Sequence, residues 1–325
     1  MKRLAVIPFI ILIAFSCEAP HNNPLDPQNP DYNYGRISGV VRTVSLPVIP
    51  IYQSNISWPS ASVQTITGAQ GEFDMLIYQP KNGWLLFSHP NFFPDSVYIN
   101  WMDTKEKKID GYLNALPHLD SLVVSSSVLN RHPSLQKEQL IIEAFISDRD
   151  NDIDSVQAFS FNKTNGFHLP YNTTEKSFRS EFSILDLGVF SLEDYVGQPV
   201  DIGVTDINSH SLLIGEGQLV RVIYKEVYLI SPTGNEITGS TPTLIWQQFE
   251  PGFDFYYNVE IYTNELAPQL VWSLKELSMD QTEVIVNSEL ADGSYFWVIW
   301  AIDIFGNRTR SKLSAFIVQT GMQPV

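Results

Sequence analysis

Leu290-Ala-Asp-Gly-Ser-Tyr-Phe-Trp-Val-Ile-Trp-Ala301 is the stretch that decides the fold of this chain. A turn-forming Asp-Gly pair precedes a run in which Tyr295, Trp297, Ile299 and Ala301 occupy every second position. Side chains of a strand alternate between its two faces, so these four share one side and specify a strand with a buried face. Working outward, the same habit recurs in Tyr257-Asn-Val-Glu-Ile-Tyr262, Val200-Asp-Ile-Gly-Val204, Leu140-Ile-Ile-Glu-Ala-Phe-Ile146 and Ile37-Ser-Gly-Val-Val41. Short runs of this kind, punctuated by Gly and Pro and with no sustained 3.6-residue apolar period past residue 35, predict an all-β chain. A hydrophobic content of 44 % is ample for packed cores, and the length beyond residue 35 calls for two or three domains. The strand sets divide into three tandem β-sandwiches, at 36–115, 116–223 and 224–325.

Around the opening stretch, Ser231-Pro232, Thr241-Pro242-Thr-Leu-Ile-Trp246 and Leu290-x-x-Gly-x-Tyr295 together resemble a fibronectin type III domain. The resemblance implies that Trp246 is the buried tryptophan of the core. It also implies that Tyr295 forms a tyrosine corner, its phenol bonding back to the backbone to fix the turn into the next strand. In the first unit, Gly39 with Val41, then Val63, then Thr67, Gly71 and Phe73 resemble the pattern of the carboxypeptidase regulatory-like domain, although Leu46–Pro59 is longer than that family's loop. That family implies a structural or binding module without catalytic residues.

The second unit carries Asp148-Arg-Asp-Asn-Asp-Ile-Asp154, four aspartates at alternate positions. Ca²⁺ takes six to eight hard oxygen ligands, so Asp148, Asp150, Asp152 and Asp154 are candidate Ca²⁺ ligands. An EF-hand would need Gly sixth and Glu twelfth, where this chain has Ile153 and Phe159, so the segment is not that loop. It resembles the acidic turn of immunoglobulin-like repeats in extracellular bacterial proteins, in which the carboxylates often decorate a solvated hairpin. Both readings stay open on the sequence.

At the N-terminus Lys2 and Arg3 precede an apolar run from Leu4 to Phe15, closed by Ser16 and Cys17. The order is that of a secretory signal, and the run falls well short of the roughly 20 residues that cross a bilayer as a helix. Ala14-Phe15-Ser16-Cys17 resembles a bacterial lipobox, and Cys17 is the only cysteine, so no disulfide framework competes for it. The resemblance implies a signal peptide at 1–16, removed on processing, and a lipid on Cys17. Residues 17–35, with prolines at 20, 24, 27 and 30, read as a tether like those of Bacteroidetes-like envelope lipoproteins. The expected location is the cell envelope, lipid-anchored at the outer membrane, facing the periplasm or the surface.

The net charge is −16, and loss of Lys2 and Arg3 with the signal takes it to −18. Such a surface repels phosphate backbones, which argues against nucleic acid and for a partner with basic patches. The chain shows no His-Glu-x-x-His, no Gly-x-Ser-x-Gly and no phosphate-cradling glycine loop, so an enzyme is not expected and no cofactor beyond Ca²⁺ is suggested. The expected function is a structural or protein-interaction component of the envelope. A polysaccharide-binding surface lipoprotein is the alternative, since Trp58, Trp84, Trp101, Trp272 and Trp300 exceed one core tryptophan per sandwich. Their exposure separates the two readings.

Overall fold

The computed structural model describes residues 31–102, 104–131, 136–161 and 163–321, together with 23, 26, 28 and 29. The signal segment and Cys17 lie outside the described residues. The described chain is all-β, relieved by one helical turn, α1 (Ile184–Leu187), and two short 3₁₀ turns. It forms tandem β-sandwiches distributed over two compact units, residues 1–115 and 116–325.

The first unit is built from β1 (Tyr34–Thr43), β2 (Asn55–Trp58), β3 (Val63–Ile66), β4 (Glu72–Tyr78), β5 (Gly83–His89), β6 (Phe92–Ile99), β7 (Glu106–Lys108) and β8 (Gly111–Leu113). One sheet has the order β4-β1-β7 with β8 also on β1, and the other β3-β2-β5-β6. In β4 the alternation is strict: Phe73, Met75 and Ile77 point into the core and their neighbours to solvent. The core gathers around Trp58 and Trp101, whose rings meet edge to face at 6.1 Å. Gly39 is required because a Cβ there would collide with the Ile109 carbonyl, and Gly71 because φ is +74°. Thr67 is buried and its hydroxyl donates to the Ile51 carbonyl at 2.6 Å while accepting from the Ser54 N–H at 2.8 Å. The long segment before Pro59 therefore contains a strand, β2, that its short length concealed in the sequence.

The second unit contains β9 (His118–Leu129), β10 (Lys137–Ser147), β11 (Ile153–Ser160), β12 (Lys163–His168), β13 (Tyr171–Asn172), β14 (Ser177–Ser183), β15 (Pro199–Asp206) and β16 (Ser211–Gln218). After these come β17 (Leu229–Ser231), β18 (Glu236–Thr238), β19 (Thr243–Trp246), β20 (Phe255–Thr263), β21 (Leu270–Ser278), β22 (Glu283–Ile285), β23 (Gly293–Asp303), β24 (Arg308–Arg310) and β25 (Ser314–Val318). The sheet β12-β11-β15-β16 covers one core, which includes Leu140, Ile142, Ala158 and Val200. The sheet β17-β19-β22 belongs to a second core around Trp246, Tyr257, Trp297 and Phe316.

A single sheet backs both cores, in the order β13-β14-β10-β9-β24-β23-β20-β21. Its continuity comes from β9 and β24, which pair in parallel, Ser127 opposite Arg308 and Leu129 opposite Arg310. Ser125, Ser126 and Ser127 are all buried in this seam. Residues near 224 are held there as well: the Tyr224 hydroxyl donates to Glu138 at 2.9 Å and its carbonyl accepts from Gln136 at 3.1 Å.

Candidate functional site

The aspartate segment joins β10 to β11, which belong to different sheets. It is therefore a crossing between sheets and not the solvated hairpin that the resemblance to immunoglobulin-like repeats implied. A hairpin would hold its side chains out to water. A crossing passes over the end of the core, and alternate side chains turn inward: Asp150 is 1 % and Asp152 5 % exposed. One carboxylate oxygen from each of Asp148, Asp150 and Asp152 lies within 4.8 Å of the others. Asp154 has entered β11, is exposed, and does not join the set.

Local hydrogen bonds shape this cluster. The Asp152 N–H donates to Asp148 Oδ2 at 2.9 Å, and Asn151 takes the left-handed conformation, φ 53°, that asparagine tolerates. From the turn after β15, Asn208 Nδ2 donates to Asp152 Oδ2 at 3.3 Å and the Ile207 N–H to the Asp152 carbonyl at 2.9 Å. That turn is set by Asp206, which accepts the N–H groups of Asn208 and His210 at 2.8 Å and His210 Nδ1 at 2.9 Å. Asp206 and Asn208 were missed from the sequence, where only their alternate spacing hints at them. Asp148 Oδ1 is buried without a hydrogen-bond partner. Burial first, and then the charges and proximity of Asp150 and Asp152, push the Asp148 carboxyl up to about 7, against a hydrogen bond from Asp152 that pulls it down. Three converging carboxylates of this kind suit a hard divalent cation such as Ca²⁺.

Beside the cluster a cleft of about 550 Å³ is lined by Asp148, Asp154 and His168 on its polar side and by Ile153, Tyr171 and Phe178 on its apolar side. Its size lies within the range of small-ligand sites.

The tryptophans divide clearly. Trp58, Trp101 and Trp272 are buried, as are Trp246 and Trp297. Trp300 is half-buried, with Arg308 at 4.9 Å and Arg310 at 5.8 Å from its ring centroid. Trp84 alone is well exposed, at 53 %, and it meets the equally exposed Tyr98 edge to face at 5.3 Å.

No protein-family model matches the chain, and no curated protein matches it in sequence. Among solved structures it is similar to the major pilin subunit of Bacillus cereus, at 8 % identity and TM-score 0.28, covering 90 % of this chain and 97 % of that one. It is also similar to the fibronectin(III)-like modules of Clostridium thermocellum CbhA, at 12 % and 0.29 over 63 % and 94 %, and to the chicken CNTN1 FN1–FN3 domains, at 10 % and 0.31 over 88 % and 98 %. All three scores fall below 0.5, and the fold stands on its own strands and register.

Proposed function

We propose that this protein is a membrane-anchored envelope lipoprotein that acts as a structural or protein-interaction component, without catalysis. The single observation that supports it best is the seam, where one sheet backs two cores and makes one continuous surface from two modules. A lipid on Cys17 and a tether at 17–35 would hold that surface near other envelope components, and tethering makes a modest interface effective. The location proposed is the outer membrane. Detergent-phase partitioning tests the anchor: the protein should enter the detergent phase and Cys17→Ala should leave it. In-cell crosslinking tests the function, which requires reproducible protein neighbours.

A second reading, binding of a neutral polysaccharide, is favoured by the exposed Trp84–Tyr98 pair. The calcium proposal is narrowed to Asp148, Asp150 and Asp152, where the ion would tie the crossing of sheets to itself.

A further inference from the structure

We propose that Arg310, on β24, and Arg131, just past the end of β9 where the Asn130 N–H donates to the Arg310 carbonyl at 3.2 Å, dock an acidic segment of a partner protein. The proposal rests on the protein-interaction reading and names the surface and the partner's chemistry.

In a chain this acidic an arginine should find a carboxylate easily. Arg36, Arg42, Arg179, Arg221 and Arg308 each do so, at 2.6 to 3.9 Å. Arg131 and Arg310 have no such ion pair among the described residues. Arg310 is half-buried against Trp300, and its Nε has no hydrogen-bond partner. Glu260 lies near enough for its charge to favour the cation but makes no ion pair with it, its Oε2 accepting from the Tyr262 hydroxyl at 2.8 Å and Trp300 Nε1 at 3.0 Å. Burial, followed by the like charge of Arg131, disfavours the charged form of Arg310. A partly desolvated cation beside a second one is costly unless an anion joins them.

The setting is built for such an anion. Arg308, 4.9 Å from the same Trp300 ring, reaches across the seam, its Nε donating to Ser127 Oγ at 3.2 Å and its guanidinium lying 3.9 Å from Glu181. This row of charges and rings, Glu181, Arg308, Trp300 and Arg310, ends at an arginine that makes no ion pair among the described residues, although the charge of nearby Glu260 favours its cationic form. Guanidinium forks match carboxylates in bidentate geometry, and a stacked arginine gives up less freedom on binding. The net charge of the chain favours a basic partner at long range. At physiological salt, however, charges are screened beyond about 8 Å, so the local pair governs what docks here.

The test uses the full mature protein in detergent, with labelled poly-L-glutamate as the probe and fluorescence anisotropy as the readout. The overall negative charge opposes the probe everywhere else, so saturable binding reports a local site. Wild type is expected to bind, the Arg131→Ala, Arg310→Ala double variant to bind at least tenfold more weakly, and Arg310→Lys to recover only part of the loss. Arg131 is exposed, so Arg131→Ala alone should weaken binding without affecting folding, while Arg36→Ala should leave it unchanged. Absence of binding by wild type, equal binding by the double variant, or binding of alginate or inorganic phosphate in place of poly-L-glutamate overturns the proposal. In-cell crosslinking keeps the two ideas apart. Neighbours that persist in the double variant overturn this docking site alone, whereas no neighbours in wild type defeats the interaction reading itself.

Discussion

The Asn307 side-chain oxygen accepts the backbone N–H of Ser126 at 2.9 Å, and both residues are 0 % exposed. The contact crosses the seam between β9 and the β23–β24 turn. Asn307 is itself held by Asp303, which accepts its backbone N–H at 2.9 Å and its Nδ2 at 3.0 Å. Arg221 closes the network 3.4 Å from Asp303, with its guanidinium 4.2 Å above the Phe253 ring. A buried polar network fully satisfied in this way is stiff, and removing one member leaves several groups unpaired.

Asn307→Ala is therefore expected to cost about 3 kcal/mol, since it orphans the Ser126 N–H and part of Asp303. For a unit of this size that corresponds to a melting-temperature loss of roughly 10 °C. Calorimetry on residues 116–325 should show one transition in the wild type and two in the variant. Limited proteolysis should spare the region near 224. An unchanged melt, or early cleavage there, would show that the seam does not couple the sandwiches.

Tyr295→Phe probes a feature readable in advance. The Tyr295 hydroxyl donates to the Ala291 carbonyl at 2.9 Å and the ring is 7 % exposed. Removing the hydroxyl should cost about 1 kcal/mol, with an unchanged denaturant slope in urea unfolding. A variant as stable as wild type would mean that the corner closes without its hydrogen bond.

Tyr295, Trp246, Gly71 and Thr67 were legible because each acts through a local turn or an alternating strand, and such signals span only a few residues. The seam was not. Three consecutive serines, Ser125-Ser-Ser127, carry no apolar alternation of their own, yet they are a buried part of a long strand, and the residue paired with Ser127, Arg308, lies 181 residues away in sequence. The aspartates were found as candidates from their spacing. Spacing could not tell a hairpin from a crossing between sheets, and so could not separate Asp154 from the three that converge.

Asp148 should make stability depend on pH. Its folded carboxyl titrates at about 7, above the ordinary value of 3.8, so the folded state holds this proton more tightly than the unfolded chain. The resulting stabilisation is complete below about pH 4 and is lost as the pH rises through 7. Asp148→Asn, which keeps an oxygen for the Asp152 N–H, should flatten this part of the profile and melt above wild type at pH 8. A cation would replace the proton. Calcium is expected to raise the melting temperature more at pH 8 than at pH 5. The Asp150→Asn, Asp152→Asn double variant should lose that rise. Wild type that melts identically with and without calcium would rule out the ion and leave a proton-sharing cluster.

The polysaccharide reading stands or falls on Trp84. Five other tryptophans are buried and Trp300 is half-buried, so the part of the quenching by neutral acrylamide that disappears in Trp84→Ala reports on Trp84. Its strand partner Tyr98 shares the outward face of β5 and β6, where the register also places Ser96 opposite Leu86. A surface of exposed rings and hydroxyls without a formal charge suits a neutral sugar better than a charged ligand. Titration with soluble neutral glucan, xylan and mannan should shift the emission saturably for at least one of them. Trp84→Ala should abolish that shift and Tyr98→Ala weaken it, with stability changing by no more than about 1 kcal/mol because both side chains are exposed. If acrylamide reaches Trp84 in wild type and none of the three polysaccharides protects it, the pair is a surface cover for its sheet, and the polysaccharide reading is discarded.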